Sequence, residues 1–425
     1  MWWLSQAIKG DLIFHEGIQS LSLGIGFIDA PDEDEVSDME EYGDLCPSRQ
    51  LLSEMVTLSP NIKFLHIFLD NPVFGNMKSA LCDVLAQLTK LEGFSCSLPD
   101  MITTKLVLAL KDHQNLRTVT VLKPIQVRVV ARRFDPPHEE PVSYPSLETL
   151  QFYGSPTDIP SLFVGNEPQF PSLRRLTLII VVNDVENSCG YIHGILGNIS
   201  NHCPNLNFLQ LSFIRREYDH PQLRVTANDL WSLRRLKHLS SLHIARVEEL
   251  VVEDAELAEL VANLPRLKVL RFEQEPFGDA DKARRPHRRS AERPPRLTLN
   301  LLALLSNTPN QLEELSVRVS AMCLKGIGKQ VNTLKALKGL SFVRSQLPYC
   351  KKCTFDIAIF LETVLPPTCA IYIVDADSTL AQRWQTIQKE MFSLRCKCSI
   401  CTSALFKTSH YCYTPFSFVP WTNGN

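Results

Sequence analysis

No apolar run in this chain is long enough to span a membrane; the longest obvious one, Leu176 to Val182, is the length of a strand. Met1 to Gly10 has neither the basic start nor the apolar centre of a secretory signal. A dominant charge is also missing. With 44 Lys and Arg against 46 Asp and Glu, the net charge of -2 argues against bulk attraction to nucleic acid or an anionic membrane. Thirteen cysteines are present, an odd number without the rhythm of a small disulfide-rich domain, so a reducing cytosolic or nuclear home is expected. In that setting the sequon Asn198-Ile199-Ser200 is accidental, because glycosylation needs a secreted context. Enzyme signatures are absent as well. Gly326-Ile-Gly328-Lys329 lacks the rest of a phosphate loop, and neither Gly-x-Ser-x-Gly nor His-Glu-x-x-His occurs. The expectation is a chain with no catalytic residues and no cofactor.

What the sequence does contain is a repeat. The spacing Leu-x-x-Leu-x-Leu recurs twelve times, starting at Ile18, Ile62, Leu91, Leu116, Leu147, Leu173, Leu206, Leu239, Leu267, Leu312, Leu337 and Thr368. The fourth and sixth positions are apolar in every copy, as in Leu206, Leu209 and Leu211. The residue between them always carries a polar group: Ser22, His66, Ser95, Thr120, Gln151, Thr177, Gln210, His243, Arg271, Ser316, Ser341 and Tyr372. That is the period-2 pattern of a short strand with one buried and one wet face.

Proline-containing corners precede most strands, among them Ser59-Pro60, Tyr144-Pro145, Phe170-Pro171, Cys203-Pro204 and Leu264-Pro265. Proline ends a helix and is tolerated where a strand begins. Helical patterns lie ahead of the corners. Glu253 to Leu264 carries Leu257, Leu260, Val261 and Leu264 on one face, and Thr226 with Asp229 marks a helix start. The unit is strand, loop, helix, corner, at intervals of 25 to 33 residues except for 44 at the first and 45 from Leu267 to Leu312. One such unit cannot bury its own apolar stripe, but stacked units can.

The phrase resembles that of the leucine-rich repeat family, Leu-x-x-Leu-x-Leu-x-x-Asn/Cys-x-Leu, over roughly residues 18 to 376. Only its first six positions are kept. Where the family places Asn or Cys, this chain has Asp70, Pro99, Ser155, Val181, Ile214, Val247 and Ser320. The long irregular repeats and the Pro-Asn-Leu or Pro-Ser-Leu corners are similar to the repeat regions of fungal F-box proteins. In that family a helical F-box binds the adaptor of a ubiquitin ligase, and the repeats hold the substrate. Here the first strand starts near Ile18, which leaves no room upstream for an F-box, and none is found elsewhere. The resemblance implies an α/β fold: a leucine-rich-repeat solenoid of about twelve irregular repeats, a curved parallel sheet with helices on its outer face. It would occupy residues 1–395, with an acidic loop insertion at 29–46, a basic one at 276–296 and a capping helix over 378–394. A Cys-containing tail, 396–425, would follow.

Such a solenoid implies a non-enzymatic interaction module that is monomeric and holds a protein ligand on its concave face. A ligase adaptor would be a partner only if an F-box stood upstream; the alternative is an adaptor or nuclear scaffold unrelated to ubiquitination. The residues flanking the buried columns midway along the sheet are the candidate contacts: Gln151, Tyr153, Arg175, Phe208, Gln210, His243, Arg271, Glu273 and Arg318. Aromatics beside Arg and Gln are the residue types that protein-binding surfaces favour. Asp29 to Asp44 holds nine acidic residues and no basic one, and reads as a solvated loop or, failing that, an acidic docking segment. Lys282 to Arg289, with Arg293 and Arg296, reads as a solvated insertion, an import signal or a segment that touches phosphates; with no aromatics interleaved, base stacking is not expected.

The spacings Cys350-x-x-Cys353 and Cys396-x-Cys398-x-x-Cys401, with His410 and Cys412 beyond, are ligand-like, since zinc needs four soft or borderline donors. A helix of about 15 residues, roughly 22 Å long, separates the two pairs and sets them on opposite edges of the stack. A local site would use Cys396, Cys398, Cys401 and either His410 or Cys412. The simpler expectation is free surface thiols and no metal.

Overall fold

A computed structural model describes the chain from residue 16 to residue 395. The stretches outside the described residues are 26–46, 70–74, 98–101, 103, 122–142, 157–158, 164–167, 183–187, 216–222, 248, 275–294, 322–323, 325–330, 344, 348–349 and 375–377, together with 1–15 and 396–425. The acidic loop, nearly all of the basic loop and the C-terminal cysteines therefore lie outside the description.

Twelve parallel strands form one sheet. In chain order they are β1 (Ser20–Ile25), β2 (Phe64–Leu69), β3 (Gly93–Cys96), β4 (Thr118–Val121), β5 (Thr149–Gly154), β6 (Arg175–Val182), β7 (Phe208–Arg215), β9 (Ser241–Val247), β11 (Val269–Gln274), β12 (Glu314–Val317), β13 (Gly339–Val343) and β14 (Ala370–Val374). Two short strands, β8 (Arg224–Thr226) and β10 (Glu249–Val251), pair separately in parallel. The spatial order of the large sheet is the order in the chain. Its register is the repeat alignment, for Leu176 faces Leu209, Leu209 faces Leu242, Leu242 faces Leu270 and Leu270 faces Leu315.

The apolar columns explain that register. A slip of one residue would turn every leucine of a strand to the other face. Leu65, Leu176, Leu209, Leu242, Leu270 and Leu340 are all fully buried in one continuous core. The first position of the phrase is buried too, from Ile62 to Leu337; Thr368 is exposed, as its polarity requires. The corners add a further buried column: Ser59, Leu88, His113, Tyr144, Phe170, Cys203, Leu236, Leu264, Leu334 and Leu365. Tyr144 and Phe170 stack at 5.1 Å between ring centroids, and the Tyr144 hydroxyl donates to Val107 O at 2.7 Å.

Helices carry the other half of the core: α1 (Pro47–Leu58), α2 (Gly75–Gln87), α3 (Thr104–Ala109), α4 (Ser188–His202), α5 (Ala227–Leu230), α6 (Asp254–Asn263), α7 (Asn300–Asn307), α8 (Lys351–Val364) and α9 (Ser378–Arg395). Thr226 caps α5 in a capping box with Asp229, as its spacing predicts. Glu253 and Glu256 form another at α6, whose Leu257, Leu260 and Val261 are buried. At the far end Trp384 of α9 stacks on Phe342 of β13 at 4.5 Å, so this helix covers the last repeats.

Adjacent repeats are tied at the strand starts by shared carbonyls. Lys63 O accepts from the N–H groups of Glu92 and Gly93 at 2.7 and 2.9 Å, and Asn207 O from those of Ser240 and Ser241 at 2.8 and 3.0 Å. The side chains at this position alternate in charge: Lys63, Glu92, Arg117, Glu148, Arg174, then Lys268, Glu313, Lys338. Lys63 pairs with Glu92 at 3.1 Å, and Glu313 lies 2.8 and 2.6 Å from Lys268 and Lys338. Hydrogen bonds from those two lysines pull the Glu313 carboxyl down to about 2. Solvated pairs of this kind contribute little energy individually.

Two local devices stand at or beside the ninth position of the repeated phrase. Arg246, at φ 63°, makes a bulge in β9 that skips one residue, so Gln274 pairs with Val247, which is fully buried. In the eleventh repeat the buried Ser345 hydroxyl accepts the Val319 N–H at 2.9 Å.

Candidate functional site

The side chains opposite the buried columns form an open strip across the strands. Near one end Phe64 and Phe68 are 41 and 42% exposed, and near the other Tyr372 is 52% exposed. Phe64 packs against the neighbouring strand where that strand lacks a side chain. A Cβ added at Gly93 would sit 2.9 Å from Cδ1 of Phe64 and 2.8 Å from the Thr118 hydroxyl, so any larger residue there would force the ring or the hydroxyl to move. Tyr372 also lies near a glycine, but a Cβ at Gly339 would meet its ring at an ordinary 3.5 Å.

The centre of the strip is charged. Arg175 faces Phe208 across the β6–β7 pair, and its guanidinium lies 4.5 Å from the ring centroid. Gln210, His243 and Arg271 are in register on β7, β9 and β11. His243 Nε2 is 3.1 Å from Glu273 Oε1, and Arg271 Nη2 is 2.5 Å from Glu314 Oε2. The hydrogen bond from His243 lowers the Glu273 carboxyl below its ordinary range against the opposing effect of burial, helped by the charges of His243 and Arg271. Eight of the nine candidates, Gln151, Arg175, Phe208, Gln210, His243, Arg271, Glu273 and Arg318, are partly or fully accessible, and Arg318 sits one residue beyond β12.

Two candidates are differently placed. Tyr153, expected on the wet face, is buried at 3% exposure; its backbone N–H donates to Ile102 O at 3.2 Å, and this part of β5 is covered. Gln151 is half-buried and its side-chain oxygen accepts the Val121 N–H at 2.5 Å. The reason is local. β4 and β5 pair only at Thr118–Thr149 and Val119–Leu150, so the ladder ends before Val121 and the glutamine supplies the missing acceptor. The polar column is also less wet than its pattern predicts, because Ser95, Ser316 and Ser341 are buried; Ser95 is engaged by His66 Nδ1. Phe64 and Phe68 share this face but fall outside the nine candidates. Their parity with His66 on β2 is the signal that identifies them.

A second surface runs along the strand starts. A cleft of about 630 Å³ is lined by Arg117, Glu148, Arg174, Asn205, Asn207, His238 and Arg266, with Ser146 and Ser172 at its corners. Asn205 donates to Pro171 O at 2.8 Å and Ser172 to Pro145 O, so residues just after the corner prolines reach back to the preceding corner. The four basic side chains of the cleft are exposed.

Cys350 and Cys353, expected as free thiols, are joined in a disulfide at the start of α8. Spacing alone did not reveal this, because the pairing depends on α8 beginning at Lys351. Cys396, Cys398, Cys401 and Cys412 lie outside the described residues. Among the described residues no group of three or more His, Cys, Asp or Glu is placed to hold a metal ion, and no helix is long and apolar enough to cross a membrane.

Comparison with models of known protein families found no match, and none of the curated proteins compared matches the chain.

Proposed function

We propose that the chain is a leucine-rich-repeat solenoid, its sheet curved and its helices on the outer side, that works without catalysis as a protein-recognition module. It would hold its ligand along the open face of the sheet, in the manner of the substrate-reading repeats of F-box receptors. The observation that carries this reading is the composition of that face. Exposed Phe64, Phe68 and Tyr372 flank a centre in which Arg175 and Phe208 stack, His243 lies against Glu273, and Arg271 is paired with Glu314. Aromatic anchors beside Arg concentrate binding energy, and pre-paired charges set partner selectivity without leaving lone ions to desolvate. Stacked repeats commonly bind along their sheet surface.

The test is affinity purification of the full chain beside the double variant Phe208→Ala with Arg271→Ala. Both side chains lie off the core, so circular dichroism and melting should be nearly unchanged while the specific partner is lost. An unchanged set of captured proteins would sink the open-face reading. Co-purification of a ubiquitin-ligase adaptor with the parent chain would favour a receptor role; a partner set without one would favour an adaptor outside ubiquitination.

A further inference from the structure

Among the described cysteines, two kinds of environment occur. Cys82, Cys96, Cys203 and Cys369 are buried and outside any disulfide. Burial raises the Cys369 thiol to about 11 and pushes that of Cys203 higher still. A thiol held protonated in that way is a poor nucleophile. Cys350 is the opposite case. It is exposed and occupies the N-cap of the 14-residue helix α8, with extended backbone at φ −87° and ψ 137°.

The first turn of α8 is built to hold negative charge on that sulfur. The Cys353 N–H donates to Cys350 Sγ at 3.1 Å. The unpaired amides of a helix start carry partial positive charge. The two residues between the cysteines are Lys351 and Lys352, both exposed, and the first turn has no acidic residue to oppose them. Cys353, half-buried one turn along, is within disulfide reach, and the two Cα atoms are 5.5 Å apart. An activated outer sulfur with a second sulfur placed behind it is the arrangement that reversible thiol exchange needs.

We propose that Cys350 and Cys353 form a redox-active couple that exchanges with low-molecular-weight disulfides, Cys350 attacking and Cys353 resolving. In the reduced chain Cys350 loses its proton and its thiolate attacks one sulfur of R–S–S–R. The S–S bond breaks, one R–S⁻ leaves and takes up the proton, and a mixed disulfide remains on Cys350. Cys353, deprotonated in turn, attacks Cys350 Sγ and expels the second R–S⁻, which is protonated to the thiol. Two protein thiols are oxidised to one disulfide, and one external disulfide is reduced to two thiols. The couple is independent of the open-face reading, since it uses neither that surface nor its partner.

The experiment is a titration of the full chain in mixtures of reduced and oxidised glutathione, quenched by alkylation and mapped by mass spectrometry of non-reduced peptides. The disulfide fraction should follow a two-electron couple, with Cys350 joined to Cys353. Cys353→Ser should accumulate glutathione on Cys350. Cys350→Ser, which keeps an N-cap acceptor, should fold normally and leave Cys353 at least about tenfold slower to react than Cys350 in the other variant. Three results would overturn the proposal: a disulfide that survives millimolar reduced glutathione in the folded chain, Cys350 oxidised to a different cysteine, or equal reaction rates in the two variants.

Discussion

Gln151 and Gln210 are the same residue in the same column of one sheet, and they do different work. β6 and β7 pair over eight registers, from Arg175–Phe208 to Val182–Arg215. There the ladder satisfies the backbone, and among the described residues Gln210 makes a long 3.4 Å contact with the Ser212 hydroxyl. β4 and β5 pair over two registers, and Gln151 is taken up by the Val121 N–H that the short ladder leaves over. Completeness of the local ladder thus decides whether an open-face side chain is free to meet a partner. Two residues along β5, Tyr153 is withdrawn by the same irregularity, buried where the backbone turns to Ile102.

Substitutions in the two regions test that contrast, and the core comes first because its effects are largest. Leu150→Ala and Leu209→Ala, both in fully buried positions, should each cost about 2–5 kcal/mol in urea denaturation. Similar losses would show that the inner column is indifferent to the ladder above it; a loss under about 1 kcal/mol at Leu150 would mean that the β4–β5 region is loosely packed throughout. The glutamines separate the regions directly. Gln151→Ala should cost about 1–3 kcal/mol and speed hydrogen exchange at the Val121 amide. Gln210→Ala should stay within about 0.5 kcal/mol. The reverse order would remove the basis of the comparison.

The smallest expected effect is electrostatic and lies in the well-paired half. Glu273 has a folded-state pKa lowered chiefly by its hydrogen bond from His243. A lowered carboxylate adds stability above its unfolded value near 4.3, and that stability is lost as pH falls through the lower folded value. Glu273→Gln should therefore reduce stability at neutral pH, by less than about 1 kcal/mol because the pair is partly exposed, and match the parent in strong acid. Melting curves at a series of pH values check it. A deficit that persists at low pH would assign the loss to packing instead.

Much of the fold was legible because the repeat writes the same local physics twelve times. Apolar fourth and sixth positions predict twelve strands, and the structure pairs those strands in chain order with the columns aligned. The helix over 378–394 and the cap at Thr226 were legible for the same reason, since periodicity and capping are short-range. The pair β8 and β10 was not, because three-residue strands carry too little pattern to stand out. Nor was the bulge at Arg246, which turns Val247 inward: nothing in the residue type forecasts a positive φ at an arginine. The aromatic wing at Phe64 depends on the neighbouring strand having Gly93 at the matching register, a fact about two segments at once.

The residues alone determined the apolar columns that could not face water, and through period 2 and the corners they determined the twelve strands of the large sheet and the alignment of those columns. Only the tertiary structure decided which polar side chains remain available on the other face. That depends on where each ladder ends, as at Val121, and on which helix starts beside a cysteine pair, as at Cys350. Burying a leucine is favourable wherever the chain puts it, whereas the use of a glutamine or a thiol depends on the few atoms that surround it.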